Sequence, residues 1–252
     1  MLARLRRIKI VSARRWKKMT KIHYAVEDQI AVITLDDGKM NVMNWDFFKE
    51  FNEALDRALA DRVNVLIFTG RPGIFSAGLD LKLLPTLSLE EQIRFQKLFA
   101  TTMLRLYLFP RPAIAAYTGH SIAGGAILSY ACDCFMIGDG PYKIQINEVA
   151  NKMVIPTWIS LICRSSIPPQ HWKEALLHSR AYSPGEAFER GIVDRLVPPG
   201  EDVMAAARTL ARDLFKLDGQ AYAYTKKYLR REEAAHALDV FEKELVEWLL
   251  KE

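Results

Sequence analysis

The chain has 252 residues, half of them hydrophobic and 26% charged, with 35 Lys and Arg against 30 Asp and Glu for a net charge of +5. This is ordinary globular composition, long enough to bury a substantial core as one large domain or two small ones. No apolar run approaches the roughly 20 residues a membrane-spanning helix needs, so a soluble protein is expected.

The positive charge is confined to the start. Residues 1–20 hold eight Lys or Arg and no acid, leaving 27 basic against 30 acidic residues in the body. The apolar piece of this leader, "IKIV", is too short for a signal-peptide core. Three readings stand: an organelle-targeting segment, an arm for nucleic acid or a membrane surface, and a plain unstructured extension. The extension is the expectation, with a cytoplasmic location, or an organelle matrix if the leader is a targeting segment. No nucleic acid and no membrane is expected for the body. Cys132, Cys134 and Cys163 fit a reducing compartment as buried thiols. None of the Cys or His spacings matches a metal site, so no metal is expected.

In chain order, "HYAVEDQIAVITLDDG" alternates around Glu27-Asp28-Gln29 as two antiparallel strands and a turn. Asn44 is a helix N-cap, followed by a stripe of Trp45, Phe48, Phe51, Leu55 and Leu59. "VNVLIFTG" is a continuous apolar run, the mark of a strand buried on both faces. Ser88-Leu89-Glu90-Glu91 is a capping box opening a helix that ends before Pro110 and Pro112. "AIAAYTG" is the next buried strand, followed by a glycine-opened apolar helix and the strand "FMIGD". Ser183-Pro184-Gly185-Glu186 caps another helix, closed by Gly191. "IVDRLVP" is a last extended segment, and from about Asp202 the pattern is helical only. Interleaved strands and helices with a helical tail define an α/β core.

Two segments join a strand to what reads as a helix start through glycine and small residues: Phe75-Ser76-Ala77-Gly78-Leu79-Asp80 and Ile122-Ala123-Gly124-Gly125. The first N–H groups of a helix have no intrahelical acceptor and suit an anionic oxygen. Two such donors converging on one carbonyl oxygen would stabilise an enolate or a tetrahedral oxyanion. Each segment alone reads equally as a tight turn. Together, "RPGIFSAGLDLK" followed about 40 residues later by "GHSIAGGAILSYACD" resembles the crotonase superfamily (enoyl-CoA hydratase/isomerase). The resemblance runs from about Tyr24 to at least Val197 and takes in "GKMNVMNWDFFKEFNEAL", "QINEVANKMVIP" and "YSPGEAFERGIVDRLVPP".

That resemblance implies a crotonase-like spiral of ββα repeats. Residues 21–197 would form the core that binds acyl-CoA, and residues 198–252 a C-terminal helical region used in trimerisation. The assembly implied is a homotrimer or a dimer of trimers. Leu79 and Gly124 would supply the oxyanion-hole N–H groups. Ala77 and Asp80 would lie near the CoA adenine, Asp80 reading equally as a structural cap, with Gly125 and Ile127 beside the substrate. CoA enters as part of the substrate, and no cofactor is implied.

Family hydratases use two glutamates, one of them three residues beyond the oxyanion glycine. Here that position is Ile127, which can neither hold nor activate water. The second position is filled by Glu148 of "NEVANKMVIP". A lone base beside an enolate hole suits proton removal from C2 of a 3-enoyl-CoA and its return to C4. Apolar surroundings, with Ile127, Val149, Met153, Ile155 and Trp158 as candidates, would raise the Glu148 pKa towards neutrality. Taken without the resemblance, Glu148 reads as an exposed helix residue paired with Lys152. His120 reads as a satisfied turn histidine. The expectation is an enoyl-CoA isomerase; an enoyl-CoA hydratase and a non-catalytic acyl-CoA-binding protein are the alternatives. Acyl-pocket walls fall between Leu83 and Met103 and in the C-terminal helices, where no pattern is diagnostic.

Overall fold

The computed structural model describes residues 20–249, so the basic leader, Thr20 excepted, lies outside the described residues. Strands β1 (Ile22–Glu27) and β2 (Ile30–Leu35) form the antiparallel hairpin expected from the alternation. Its loop residues Asp28 and Gln29 have φ of 51° and 58°, as a two-residue type I′ turn requires. Helix α1 (Trp45–Ala60) is capped by Asn44, whose Oδ1 accepts from the Phe47 N–H at 3.1 Å. Its buried face is rotated from the expected stripe. Phe47, Phe48, Phe51, Ala54, Leu55 and Ala58 face the core, and Leu59 is exposed. The seam is centred one flank over: Phe51 stacks on Phe68 of the sheet, Phe48 packs against Phe95 and Phe99, and Trp45 meets Phe95 from the half-buried rim.

Three strand–strand–helix units follow. The first is β3 (Val65–Thr69), β4 (Gly73–Ser76) and α2 (Leu89–Tyr107). The second is β5 (Ala113–Tyr117), β6 (Gly119–Ile122) and α3 (Gly124–Ala131). The third is β7 (Cys134–Gly138), β8 (Ile144–Gln145) and α4 (Thr157–Ser166). Then come β9 (Ala181–Tyr182), α5 (Pro184–Glu189), β10 (Arg195–Val197), α6 (Val203–Leu214) and α7 (Gly219–Leu249). The first strand of each unit joins a six-stranded sheet, β1-β2-β3-β5-β7-β10. The second joins a four-stranded sheet, β4-β6-β8-β9.

Both capping boxes form: Ser88 with Glu91 opens α2 and Ser183 with Glu186 opens α5. The continuous apolar runs have a clear cause. On β3 and β5, Val65, Ile67, Ile114 and Ala116 pack against Val203, Ala207 and Ala211 of α6. Their alternate neighbours Leu66, Phe68, Ala113 and Ala115 enter the main core. The large sheet is thus covered on both faces, and the helical tail supplies one of the covers.

Helix α7 packs on α2 and α4. It is pinned near its start by a buried ion cluster. Asp133, at the β7 entrance, accepts from Lys226 Nζ and from Arg230 Nη1 at 2.8 Å each, and from the Ala113 N–H at 2.8 Å. Arg230 also donates to the Tyr107 carbonyl at 2.9 Å and lies over the Tyr107 ring. Cys132 and Cys163 are buried free thiols, and Cys134 is half-buried on β7.

Candidate active site

The site is assembled at one edge of the small sheet. Strands β4, β6 and β8 run parallel as neighbours, Ser76 opposite Ser121 and Ile122 opposite Gln145. Their carboxyl ends therefore emerge side by side. Leu79 follows β4, Gly124 follows β6 and Glu148 follows β8, so three segments distant in sequence meet because their strands are in register. Crevices beyond the carboxyl ends of parallel strands are the usual place for ligands in such sheets.

The turn after β4 is held from the "GKMN" segment. Asn41, 2% exposed, sits at φ 52° and donates from Nδ2 to the Leu35 and Phe75 carbonyls at 2.9 Å each. The Ser76 hydroxyl donates to the Asn41 carbonyl at 2.7 Å and accepts from the Gly78 N–H at 3.1 Å. Met43 then makes a parallel bridge with Leu79, accepting from the Asp80 N–H and donating to the Gly78 carbonyl. In an extended segment successive N–H groups alternate in direction, so the Leu79 N–H is turned away from Met43. This corrects the reading that the first segment starts a helix. After Leu79 the chain makes short turns, and α2 begins only at Leu89. Asp80 closes one of those turns, accepting from the Lys82 N–H at 3.1 Å.

The second segment does open a helix, but from β6 rather than directly from the buried strand β5. Ala123 sits at φ 48°, ψ −119°, a conformation that costs a non-glycine residue about 1–3 kcal/mol and that clusters at functional sites. It is held by its N–H to the Gln145 carbonyl at 2.8 Å and by its carbonyl, which accepts from Ile127 at 2.9 Å. The two turns touch. A Cβ on Gly78 (φ 83°) would lie 2.8 Å from the Gly124 nitrogen, and one on Gly125 would lie 2.4 Å from the Ser76 carbonyl oxygen. Side chains at these positions would wedge α3 away from the β4 turn. Gly124 is the first residue of α3, where N–H groups lack intrahelical acceptors and the helix dipole is positive.

Ala77, Leu79, Ala123, Asn147 and Glu148 are among the residues that line a cavity of about 70 Å³. Glu148 is 5% exposed, and its Oε2 has no hydrogen-bond partner. Burial pushes its pKa up to about 7, against the pull of the Glu148 and Asn147 backbone N–H groups. It precedes a single tight helical turn, and Lys152, in a left-handed conformation, ends that turn. The exposed pair with Lys152 does not form, since Glu148 is turned inward among apolar residues.

Of the apolar neighbours expected around Glu148, Met153 lines the cavity, Trp158 is fully buried and Val149 points outward, 43% exposed. Ile127 is completely buried in the main core, and Gly125 is packed against Ser76. Gly124, Gly125, Ile127 and Asp80 are not among the cavity-lining residues, Gly124 standing directly behind Ala123, which is. His120 lies on β6, its Nδ1 accepting from the Lys143 N–H at 3.0 Å and its ring edge-on to Tyr142.

Residues that the sequence reading did not single out complete the cavity. Phe99 comes from α2, and Phe241, Glu244, Leu245 and Trp248 come from α7. The i, i+4, i+7 spacing of Phe241, Leu245 and Trp248 marks a buried helix face, but not what that face meets. Glu244 is a second carboxylate on the cavity wall, with both oxygens engaged: Oε2 accepts from the Thr157 N–H at 3.0 Å and Oε1 from the Thr157 hydroxyl. It caps the start of α4. Among the described residues no group of three or more His, Cys, Asp or Glu side chains could hold a metal ion, and no helix is long and apolar enough to cross a membrane.

Solved structures share this architecture. Human mitochondrial delta3-delta2-enoyl-CoA isomerase superposes with a TM-score of 0.86 at 26% identity, covering 90% of each chain. A probable enoyl-CoA hydratase from Mycobacterium tuberculosis gives 0.84 at 31% identity, covering 92% of this chain and 100% of that one. The fold is the crotonase fold. Among curated proteins, rat mitochondrial enoyl-CoA delta isomerase 1 is 30% identical over 230 residues, 90% of this chain and 79% of that protein. A putative enoyl-CoA hydratase from Thermus thermophilus is 32% identical over 205 residues, 79% of this chain and 80% of that protein. Residues 25–246 match the enoyl-CoA hydratase/isomerase family model, and the chain belongs to that family.

Proposed function

We propose that the protein moves the double bond of a 3-enoyl-CoA to the 2 position through a thioester enolate. The Glu148 carboxylate takes a proton from C2. The electron pair moves onto the thioester oxygen, which the Leu79 and Gly124 N–H groups hold as the enolate. The protonated Glu148 then returns the proton to C4 as the C2–C3 double bond forms. One group serves as base and then acid, which is efficient when its pKa lies near the working pH.

The observation that carries this reading is Glu148 itself: a buried carboxylate with a free oxygen on the cavity wall and a pKa of about 7. Hydration needs a second carboxylate free to hold water. Ile127 stands where family hydratases carry it, and Glu244 is committed to capping α4. The relatives include both isomerases and hydratases by name, so the choice between them rests on this site. The reaction needs no metal or redox cofactor, with CoA as part of the substrate. We also propose a homotrimer or dimer of trimers working in the cytoplasm or an organelle matrix.

The test is purified protein with trans-3-hexenoyl-CoA in deuterated water, the product identified by mass and double-bond position. Conversion to 2-hexenoyl-CoA that Glu148→Gln abolishes supports the isomerase. trans-2-Hexenoyl-CoA is run in parallel, and a hydrated product from it without conversion of the 3-isomer favours the hydratase. Both thioesters bound and unchanged mean acyl-CoA binding without this chemistry.

A further inference from the structure

Glu148 stands at the head of a single tight helical turn, Val149–Asn151, so its carboxylate is placed by whatever holds that turn. Within it the Glu148 carbonyl accepts from the Asn151 and Met153 N–H groups at 2.9 Å each. The first N–H groups of so short a turn have no acceptor inside it. One of them, on Ala150, donates to the Ser179 hydroxyl at 3.2 Å. Ser179 is 8% exposed and sits at φ 50°, in the left-handed region that a residue with a side chain enters at a cost. Glycine would stand there without strain, but glycine has no hydroxyl to offer Ala150. Strain of this kind persists where the surroundings over-determine it, and it clusters at functional sites.

The Ser179 backbone is tied to the other half of the site. Its carbonyl accepts from Gln145 Nε2 at 2.7 Å. The Gln145 carbonyl accepts from the N–H of Ala123, the strained residue that opens α3 at Gly124. A hydrogen-bonded brace thus runs from the Gly124 turn through Gln145 and Ser179 to the turn that carries Glu148. None of its links lies on the reacting surface, since neither Ser179 nor Gln145 is among the cavity-lining residues. We infer that Ser179 is a positioning residue for the proposed isomerisation: its hydroxyl fixes the Glu148 turn and, through Gln145, sets the base against the oxyanion donors. This rests on the reading of Glu148 as the base. A reacting group misplaced by about 1 Å can lose about 10²-fold in rate, so the hydroxyl acts on turnover and not on substrate binding.

The experiment compares the full-length protein with two variants. Ser179→Gly keeps the backbone conformation and removes the hydroxyl. Ser179→Asn keeps the conformation and an oxygen able to accept from Ala150. Four quantities are read on each protein: turnover of trans-3-hexenoyl-CoA, calorimetric binding of saturated hexanoyl-CoA, thermal unfolding, and hydrogen–deuterium exchange of residues 147–153 by mass spectrometry. In Ser179→Gly the Tm should hold or rise because strain is relieved, and hexanoyl-CoA affinity should be unchanged. kcat should fall about 10- to 100-fold, and residues 147–153 should exchange about fivefold faster, the equivalent of one hydrogen bond. Ser179→Asn should restore most of the rate and of the protection. Native kcat in Ser179→Gly overturns the inference. So does a loss of kcat with matching losses of affinity and Tm, which is what a merely structural contact gives. A folded Ser179→Asn no better than Ser179→Gly also overturns it; where the Asn variant does not fold, Ser179→Gly decides alone. The two readings fail separately. A native protein that never converts 3-hexenoyl-CoA sinks the isomerase, and the exchange of residues 147–153 then judges the brace by itself. Turnover by the native protein with unchanged exchange in Ser179→Gly does the reverse.

Discussion

Replacing Glu148 with Gln should remove activity and stabilise the fold, and the stabilisation should depend on pH in a calculable way. The folded-state pKa is raised to about 7 from an ordinary 4.5, chiefly by burial. Between these values the folded protein binds a proton that the unfolded chain has released, so stability falls as pH rises through this window and is constant above it. At pH 8 the cost of ionising the buried group reaches about 3 kcal/mol, whereas at pH 5 it is about 0.8 kcal/mol. Gln carries no charge and does not bear this cost. Its amide meets the same apolar surroundings as the protonated acid, so the two should be nearly equivalent at low pH. Urea unfolding of both proteins at pH 5 and pH 8 measures the difference. The expected outcome is a Glu148→Gln advantage that grows by about 2–3 kcal/mol between the two conditions. An advantage independent of pH, or none at pH 8, would refute the claim that this carboxylate is held in a costly environment, and with it the basis for its role as a proton shuttle.

Three further outcomes follow from the same geometry. kcat/KM should rise about tenfold per pH unit below pH 7 and level off above it, because the free protein must present the ionised base; a rate profile flat from pH 5 to 8 contradicts this. Gly78→Ala would place a methyl 2.8 Å from the Gly124 nitrogen at a backbone φ of 83°. It should lower kcat by about 10²–10³-fold, the range for loss of an oxyanion donor, with the Glu148 pH dependence of stability preserved as a check on folding. Asp133→Ala should destabilise the protein by about 3–5 kcal/mol because it strands the buried Lys226 cation. Lys226→Met, combined with Asp133→Ala, should recover much of that loss, as read by urea unfolding.

Local features of this chain are legible from neighbouring residues. The hairpin at Asp28 and Gln29, the N-cap at Asn44 and the capping boxes at Ser88 and Ser183 each depend on a few adjacent side chains and backbone groups. The buried strands announce themselves as apolar runs because helix α6 covers one face of the large sheet and the core covers the other. The motifs "FSAGLD" and "AGG" with Glu148 are visible as short strings, and Ile127 is visible as the residue that replaces a carboxylate.

Strands β4, β6 and β8, two to four residues each, carry too few residues for a periodicity. Yet their parallel pairing is what sets the ends bearing Leu79, Gly124 and Glu148 beside one another. The buried face of α1 turned out one flank away from the expected stripe, because residues on either side of a helical seam are told apart only by the surface they meet. The raised pKa of Glu148 belongs to the tertiary structure as well. The "NEV" segment reads the same whether its glutamate faces solvent or the cavity, and desolvation exists only once the chain has closed around it. The wall formed by α7 has the same origin: Phe241, Leu245 and Trp248 declare a buried face, but only packing against α2 and α4 brings that face, about 100 residues along the chain from Glu148, to the same cavity.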